Sequence, residues 1–222
     1  TNFLDVARKL ADHLYANFSE TDPAHTRFAW NPSQIMGFVD LYRVTNEKRY
    51  LELAGIFVSN RGRAPAAKGA NHAFGGTDQT QDRVPLRAET VAVGHAVTGT
   101  YLWCGAADVC AETGDRTVLE ALERLWLDVT RCKMDVTGSV GYGHGTTVRG
   151  DAVHEAFGRP YQLPNRYNET CSNIGNAMWS QRMLALTGDA KYADLVETVL
   201  HNSFASTFGL DGKSFFYCNP LK

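Results

Sequence analysis

The sequence contains no apolar run of the length, about 20 residues, that a membrane-spanning helix requires. It also lacks an excess of charge of either sign. Its 22 Lys and Arg face 24 Asp and Glu, for a net charge of −2. The concentrated basic surface of a nucleic-acid or anionic-membrane binder is therefore missing. Cysteine is scarce, with five in 222 residues, and no two form a CxxC pair. This excludes a four-cysteine zinc module, and the odd count in largely helical surroundings argues for free thiols over a disulfide framework. Free thiols lean towards the cytoplasm and otherwise leave the compartment open. Cys104, Cys110 and Cys132 are expected to be small buried hydrophobes. No signal peptide is expected at the start of these residues, where Thr1 opens directly into an amphipathic pattern. With no initiator Met and an ending on Asn219-Pro-Leu-Lys222, both ends read as cut from something longer.

What is present is core material: 44% of the residues are hydrophobic and 11% aromatic. That suffices for one well-packed domain. Helical spacing of apolar residues predicts helices over Asn2 to Asn17, from Asn31-Pro32 to Thr45, and from about Tyr50 to Gly62. A long polar loop, Gly62 to Pro85, follows. A very apolar helix is predicted from about Arg87 to Glu112, and another from Leu119 to Cys132. Val136 to Val148 reads as a Gly-rich β-ribbon. Further helices are predicted over Glu169 to Leu186 and Tyr192 to Phe204, then a short strand from Ser214 to Tyr217.

One device recurs. Thr45-Asn46-Glu47, Thr113-Gly114-Asp115 and Thr187-Gly188-Asp189 each follow an apolar helical stretch and precede another. A Gly or Asn takes the left-handed position, an acidic residue caps, and the chain returns antiparallel. The unit is a helical hairpin, and the long connectors all fall between hairpins. Such repeats suggest an all-α fold, part of an α/α toroid with inner helices lining a cavity. An ordinary helical bundle is the alternative.

The chemistry-bearing residues cluster where connectors enter inner helices. Glu155, between His154 and Ala156-Phe157, has the apolar neighbours that raise a carboxyl pKa for general acid work, or it is an exposed loop glutamate. Glu169 and Cys171 begin a helix that Asn168 can cap. A helix N-terminus favours a carboxylate and a thiolate, and the pair can supply two zinc ligands; the alternative is a capping turn with a buried thiol. His95 follows Gly94, which permits a close approach, or it is a core histidine. Arg87 and Glu89 can bind a polyhydroxylated ligand or each other.

Together, Val93-Gly-His-Ala-Val97, Glu155-Ala-Phe157, Leu163-Pro-Asn165, Glu169-Thr-Cys171, Gln181-Arg-Met183 and Phe215-Phe-Tyr-Cys-Asn-Pro220 resemble glycoside hydrolase family 127, the β-L-arabinofuranosidase family described from bacteria. The resemblance covers nearly the whole chain in order. It implies a partial (α/α)6 catalytic domain over residues 1–222. It implies retaining hydrolysis of non-reducing β-L-arabinofuranosides, or of a related rare plant cell-wall sugar. By motif, Glu155 would be the acid/base, Glu169 and Cys171 two of four zinc ligands, and His95, Asn31 and Arg87 sugar contacts. The family's nucleophile, a zinc-bound cysteine of a Cys-Cys pair, has no counterpart here. Asn31 stands where the family has a histidine. The expected partner is a carbohydrate, with no nucleic acid and no membrane, and a homodimer is compatible with this reading. Two other classes fit the residues: a non-catalytic carbohydrate-binding helical domain, and a sugar isomerase or epimerase using His95 as base.

Overall fold

The computed structural model describes residues 2–20, 22, 31–63, 80–141, 145–146, 152–153, 157 and 168–219. Among these it is mostly helical. The α-helices are α1 (Phe3–Phe18), α2 (Gln34–Thr45), α3 (Lys48–Asn60), α4 (Ala96–Thr113), α5 (Arg116–Cys132), α6 (Thr170–Thr187) and α7 (Ala190–Thr198). The last continues through a π-helical segment, Val199–Phe204, and a 3-10 turn, Ala205–Thr207. A two-residue pairing joins β1 (Gly145–Thr146) to β2 (Ala152–Val153).

The three hairpin corners are built alike. In each, the Thr hydroxyl donates to the carbonyl four residues back: Thr45 to Leu41, Thr113 to Val109 and Thr187 to Met183. The next residue is left-handed, Asn46 at φ 57°, Gly114 at 71° and Gly188 at 70°. Its N–H closes on the carbonyl of Tyr42, Cys110 or Leu184. The following N–H returns to the Thr hydroxyl at 3.2–3.4 Å. Asp115 and Asp189 then cap the outgoing helix with their side chains, whereas Glu47 makes no side-chain cap. Part of the polar backbone freed at each helix end is thus satisfied locally.

Inner and outer layers follow. Ile35 meets Gly105, and Arg43 bonds Asp108 and Glu112. Thr100 meets Gly175, and Asp108 bonds Arg182. Residue numbers rise together in each set, so α2, α4 and α6 run parallel, with their N-termini at one end and the Thr corners at the other. They approach closely because the crossings fall on glycine. A methyl at Gly105 would lie 2.7 Å from Ile35, and one at Gly175 would lie 2.2 Å from the Thr100 hydroxyl. Helix α4 is central, with 14 of its 18 residues buried. Outer helix α5 presents one apolar stripe, Val118, Leu122, Leu125 and Val129, to the core. The fold is all-α and forms part of an α/α toroid built from helical hairpins.

Three expectations are corrected. The apolar pattern predicted one helix from Arg87, but α4 begins at Ala96. Residues 86–88 form a 3-10 turn, and 89–95 stay out of the helix, extended at Glu89 and His95 and left-handed at Gly94, because their backbone groups bond elsewhere: Glu89 accepts from Thr90 and Val91, and Asp128 accepts from Ala92. The expected β-ribbon over 136–148 shrinks, among the described residues, to the β1–β2 pair and an Asp135 turn, and 214–217 holds a single isolated bridge, Phe215 with Phe208, in place of a strand. Cys132, the last residue of α5, is exposed, whereas Cys104 and Cys110 are buried as expected. Burial pushes the Cys104 thiol up to about 12.

Candidate active site

The N-terminal ends of the inner helices carry most of the residues singled out from the sequence. At α6, Glu169 occupies the N-cap position in extended conformation, one residue before the helix. The reason is a short antiparallel pairing with the segment around Cys218. Thr170 N–H bonds the Tyr217 carbonyl at 2.9 Å, and Asn219 N–H bonds the Asn168 carbonyl at 3.0 Å. Glu169 and Cys218 therefore face each other as a bridge pair. Asn168 is left-handed, at φ 44°, so the chain turns sharply just before Glu169. Its amide donates to Asp135 Oδ2 at 3.2 Å, while Asp135 Oδ1 accepts from the N–H groups of Thr137 and Ser139. Ser172 and Asn173 bond the two backbone groups of Val140. This hydrogen-bonded cradle fixes the entry of α6.

The result is one close pair. Cys171 Sγ lies 3.0 Å from Glu169 Oε2, as donor to the carboxylate. Glu169 is 2% exposed, and Cys171 is half-buried. Carboxylate oxygen and cysteine sulfur are both zinc donors, so the pair fits two positions of a tetrahedral site. Among the described residues, no three His, Cys, Asp or Glu side chains gather as a metal-binding group.

At α4, His95 holds the N-cap position and is half-buried. The carbonyls leading into the helix each accept a hydrogen bond. Those of Val93 and His95 accept from the Gln81 amide at 2.9 and 3.0 Å, and that of Gly94 accepts from Phe157 N–H at 2.9 Å. The Phe157 ring stacks on Trp103, with centroids 5.1 Å apart, and Trp103 packs on Trp179 at 4.5 Å. A methyl at Gly99 would come within 2.7 Å of Phe157. An aromatic column thus seats the chain two residues after Glu155 against the start of α4. Glu155 itself lies outside the described residues.

Asn31 is exposed near the start of α2, and its Oδ1 accepts from Ser33 N–H at 3.1 Å, a turn that leads the chain into the helix. Arg87 is not brought to the others. Its guanidinium bonds Asp115 at 2.6 Å, Thr117 at 2.9 Å and Ser59 at 3.3 Å. Asp115 lies past the C-terminal end of α4, a helix of 18 residues and so roughly 27 Å from its other end. Because α4 starts at Ala96, Arg87 sits at the foot of a connector that climbs along α5. Nor does Arg87 pair with Glu89, whose carboxylate accepts two bonds from the Arg83 guanidinium, at 2.6 and 2.8 Å.

Sequence reasoning missed Gln81 and the Asp135–Asn168 cradle. Asp135-Val-Thr137-Gly138 carried a turn signal that points to the latter; Gln81, inside a long polar loop, carried none.

Residues 1–222 match the family model for the β-L-arabinofuranosidase GH127 catalytic domain. The chain is 35% identical over 233 residues to a non-reducing end β-L-arabinofuranosidase of Bifidobacterium longum subsp. longum, covering 99% of this chain and 34% of that protein. A solved glycoside hydrolase shares 44% identity and superimposes with a TM-score of 0.85, over 98% of this chain and 36% of that one. A GH127 β-L-arabinofuranosidase from Geobacillus stearothermophilus T6 gives 38% and 0.73, over 84% and 30%. The chain spans about a third of the length of these relatives. An all-α arc of hairpins, with Glu169 and Cys171 in contact at an inner-helix start and a match across its full length, this chain belongs to the GH127 β-L-arabinofuranosidase catalytic-domain family.

Proposed function

We propose that this chain forms part of the catalytic domain of a glycoside hydrolase that removes non-reducing terminal β-L-arabinofuranosyl groups, or those of a related rare plant cell-wall sugar, with retention of configuration. The observation that carries the reading is the buried Glu169 carboxylate in contact with Cys171 at 3.0 Å. These two side chains would hold zinc, with two further cysteines from sequence outside these 222 residues, one of them the nucleophile. Zinc bound there would keep a cysteine ionised at neutral pH.

In this reading Glu155 gives its proton to the glycosidic oxygen as the bond to the sugar breaks, then takes a proton from the water that frees the product. The bond from Phe157 N–H to the Gly94 carbonyl, next to His95, supports this reading. His95 and Asn31 donate to or accept from sugar hydroxyls. Arg87, engaged near the far end of α4, takes no part.

The test is made on the full-length protein. Zinc content and hydrolysis of an aryl β-L-arabinofuranoside are measured for the native protein and for Glu169→Ala and Cys171→Ser. Zinc and turnover should fall together in both variants. Unchanged zinc and unchanged hydrolysis in both would sink the proposal.

A further inference from the structure

We propose that Gln81 is a positioning residue of this sugar site, acting through His95; the inference rests on the reading of His95 as a sugar contact. Gln81 is buried and left-handed at φ 54°, a conformation that few non-glycine residues adopt and that costs of the order that fixed functional positions carry. What holds it there is the residue before it: the buried Arg61 side chain donates to the Thr80 carbonyl. The amide then faces the start of α4 and uses both ends. Its nitrogen donates to the carbonyls of Val93 and His95, at 2.9 and 3.0 Å, and its oxygen accepts from the Thr98 hydroxyl at 3.1 Å. Thr98 also donates to the His95 carbonyl at 3.0 Å.

This arrangement decides the direction of three successive carbonyls. With those of Val93 and His95 held by Gln81, the Gly94 carbonyl between them is taken by Phe157 N–H. Gly94, at φ 77°, permits the turn. The helix therefore starts at Ala96, and His95 is presented at its N-cap position in place of being wound into the first turn. Without the amide, the only local opposition to an earlier helix in the run Val91 to Val97 is Gly94, whose cost in a helix is about 1 kcal/mol.

Gln81→Glu is the discriminating substitution. It keeps the shape and the acceptor for Thr98 but sets an anionic oxygen against two carbonyls. Gln81→Met keeps the bulk and removes the hydrogen bonds. Both are compared with His95→Ala and with the two double variants, in the zinc-loaded full-length enzyme. The readings are kcat and KM on an aryl β-L-arabinofuranoside, affinity for free L-arabinose by calorimetry, and thermal melting. We expect each Gln81 variant to lower kcat/KM roughly 10- to 100-fold, the scale of a small misplacement of a binding group, mainly by raising KM, and to weaken free-sugar binding in parallel. In Gln81→Glu the loss should shrink as pH falls and the carboxyl regains a proton to donate. Each double variant should be no worse than His95→Ala. Additive losses, or normal KM with lowered melting, would make Gln81 a structural residue and overturn the inference; so would failure of both variants to fold. If His95→Ala is itself neutral, the reading of the sugar site has failed first, and the inference falls with it.

Discussion

The thiol of Cys171 meets the carboxylate of Glu169 at 3.0 Å although the two lie on different kinds of backbone, Cys171 in the first turn of α6 and Glu169 in the extended residue before it. In a continuous helix, residues two apart point to different sides. The extended N-cap brings them to the same side, and the bridge to Cys218 holds it extended.

Two cysteines therefore neighbour Glu169, and they are expected to behave differently. Cys171 touches the carboxylate through its side chain, whereas Cys218 is joined to it through backbone pairing. In the full-length protein, Cys171→Ser should lower zinc affinity by more than the roughly 10- to 100-fold that loss of a supporting partner costs. Cys218→Ser should leave it within a few-fold. Metal titration against a chelator of known affinity measures both; equal losses would refute the assignment.

On the proposed role of Glu155 as acid/base, Glu155→Gln should slow hydrolysis of an alkyl or poorly activated aryl β-L-arabinofuranoside about 10²- to 10⁴-fold. A dinitrophenyl leaving group needs no protonation, so bond cleavage there should be nearly unaffected. A loss that does not depend on the leaving group would mean that Glu155 is not the acid.

Asp115 both caps α5 and holds Arg87. Bonds from Thr117 and then Arg87 keep its carboxyl at about 2, well below the usual carboxylate value. A depressed folded-state value means that this stabilisation is whole above about pH 4, the unfolded value, and fades as pH falls towards 2. Asp115→Ala should cost about 1 kcal/mol at pH 7, the usual worth of a cap, and more if the Arg87 bond adds to it. Denaturant melts at pH 7 and pH 2.5 check the sign: the gap between the two proteins should narrow at the lower pH.

Gly175→Ala places a methyl 2.2 Å from the Thr100 hydroxyl and 3.0 Å from its Cβ, between two central helices with little room to part. Overpacking of this kind costs about 1–3 kcal/mol. Thr100→Ala should recover part of it, since the Thr100 hydroxyl bonds only carbonyls of its own helix, those of Ala96 and Val97. A double-mutant cycle from urea melts measures the coupling; simple additivity would show that the crossing is not the cause.

The sequence by itself determined the parts that rest on short-range forces. The corners at Thr45, Thr113 and Thr187 were legible because each closes on groups within four residues. The stripes of α2, α3 and α5 were legible because periodicity declares a buried face. Glu169 and Cys171 were legible as a pair because they are two positions apart.

Only the tertiary structure decided where α4 begins, and with it the fate of Arg87. The run Val91 to Val97 reads as helix. The groups that stop it, Gln81, Asp128 and Phe157, lie 12 or more residues from the carbonyls or N–H they take. Likewise nothing near Glu169 in the sequence announces Cys218 or Asp135, which are 49 and 34 positions away and fix its backbone through the pairing and through Asn168. Local capping can outweigh a weak helical preference by itself. A buried polar backbone must be satisfied wherever its partners are, and in this protein the partners that set the site come from distant stretches of the chain.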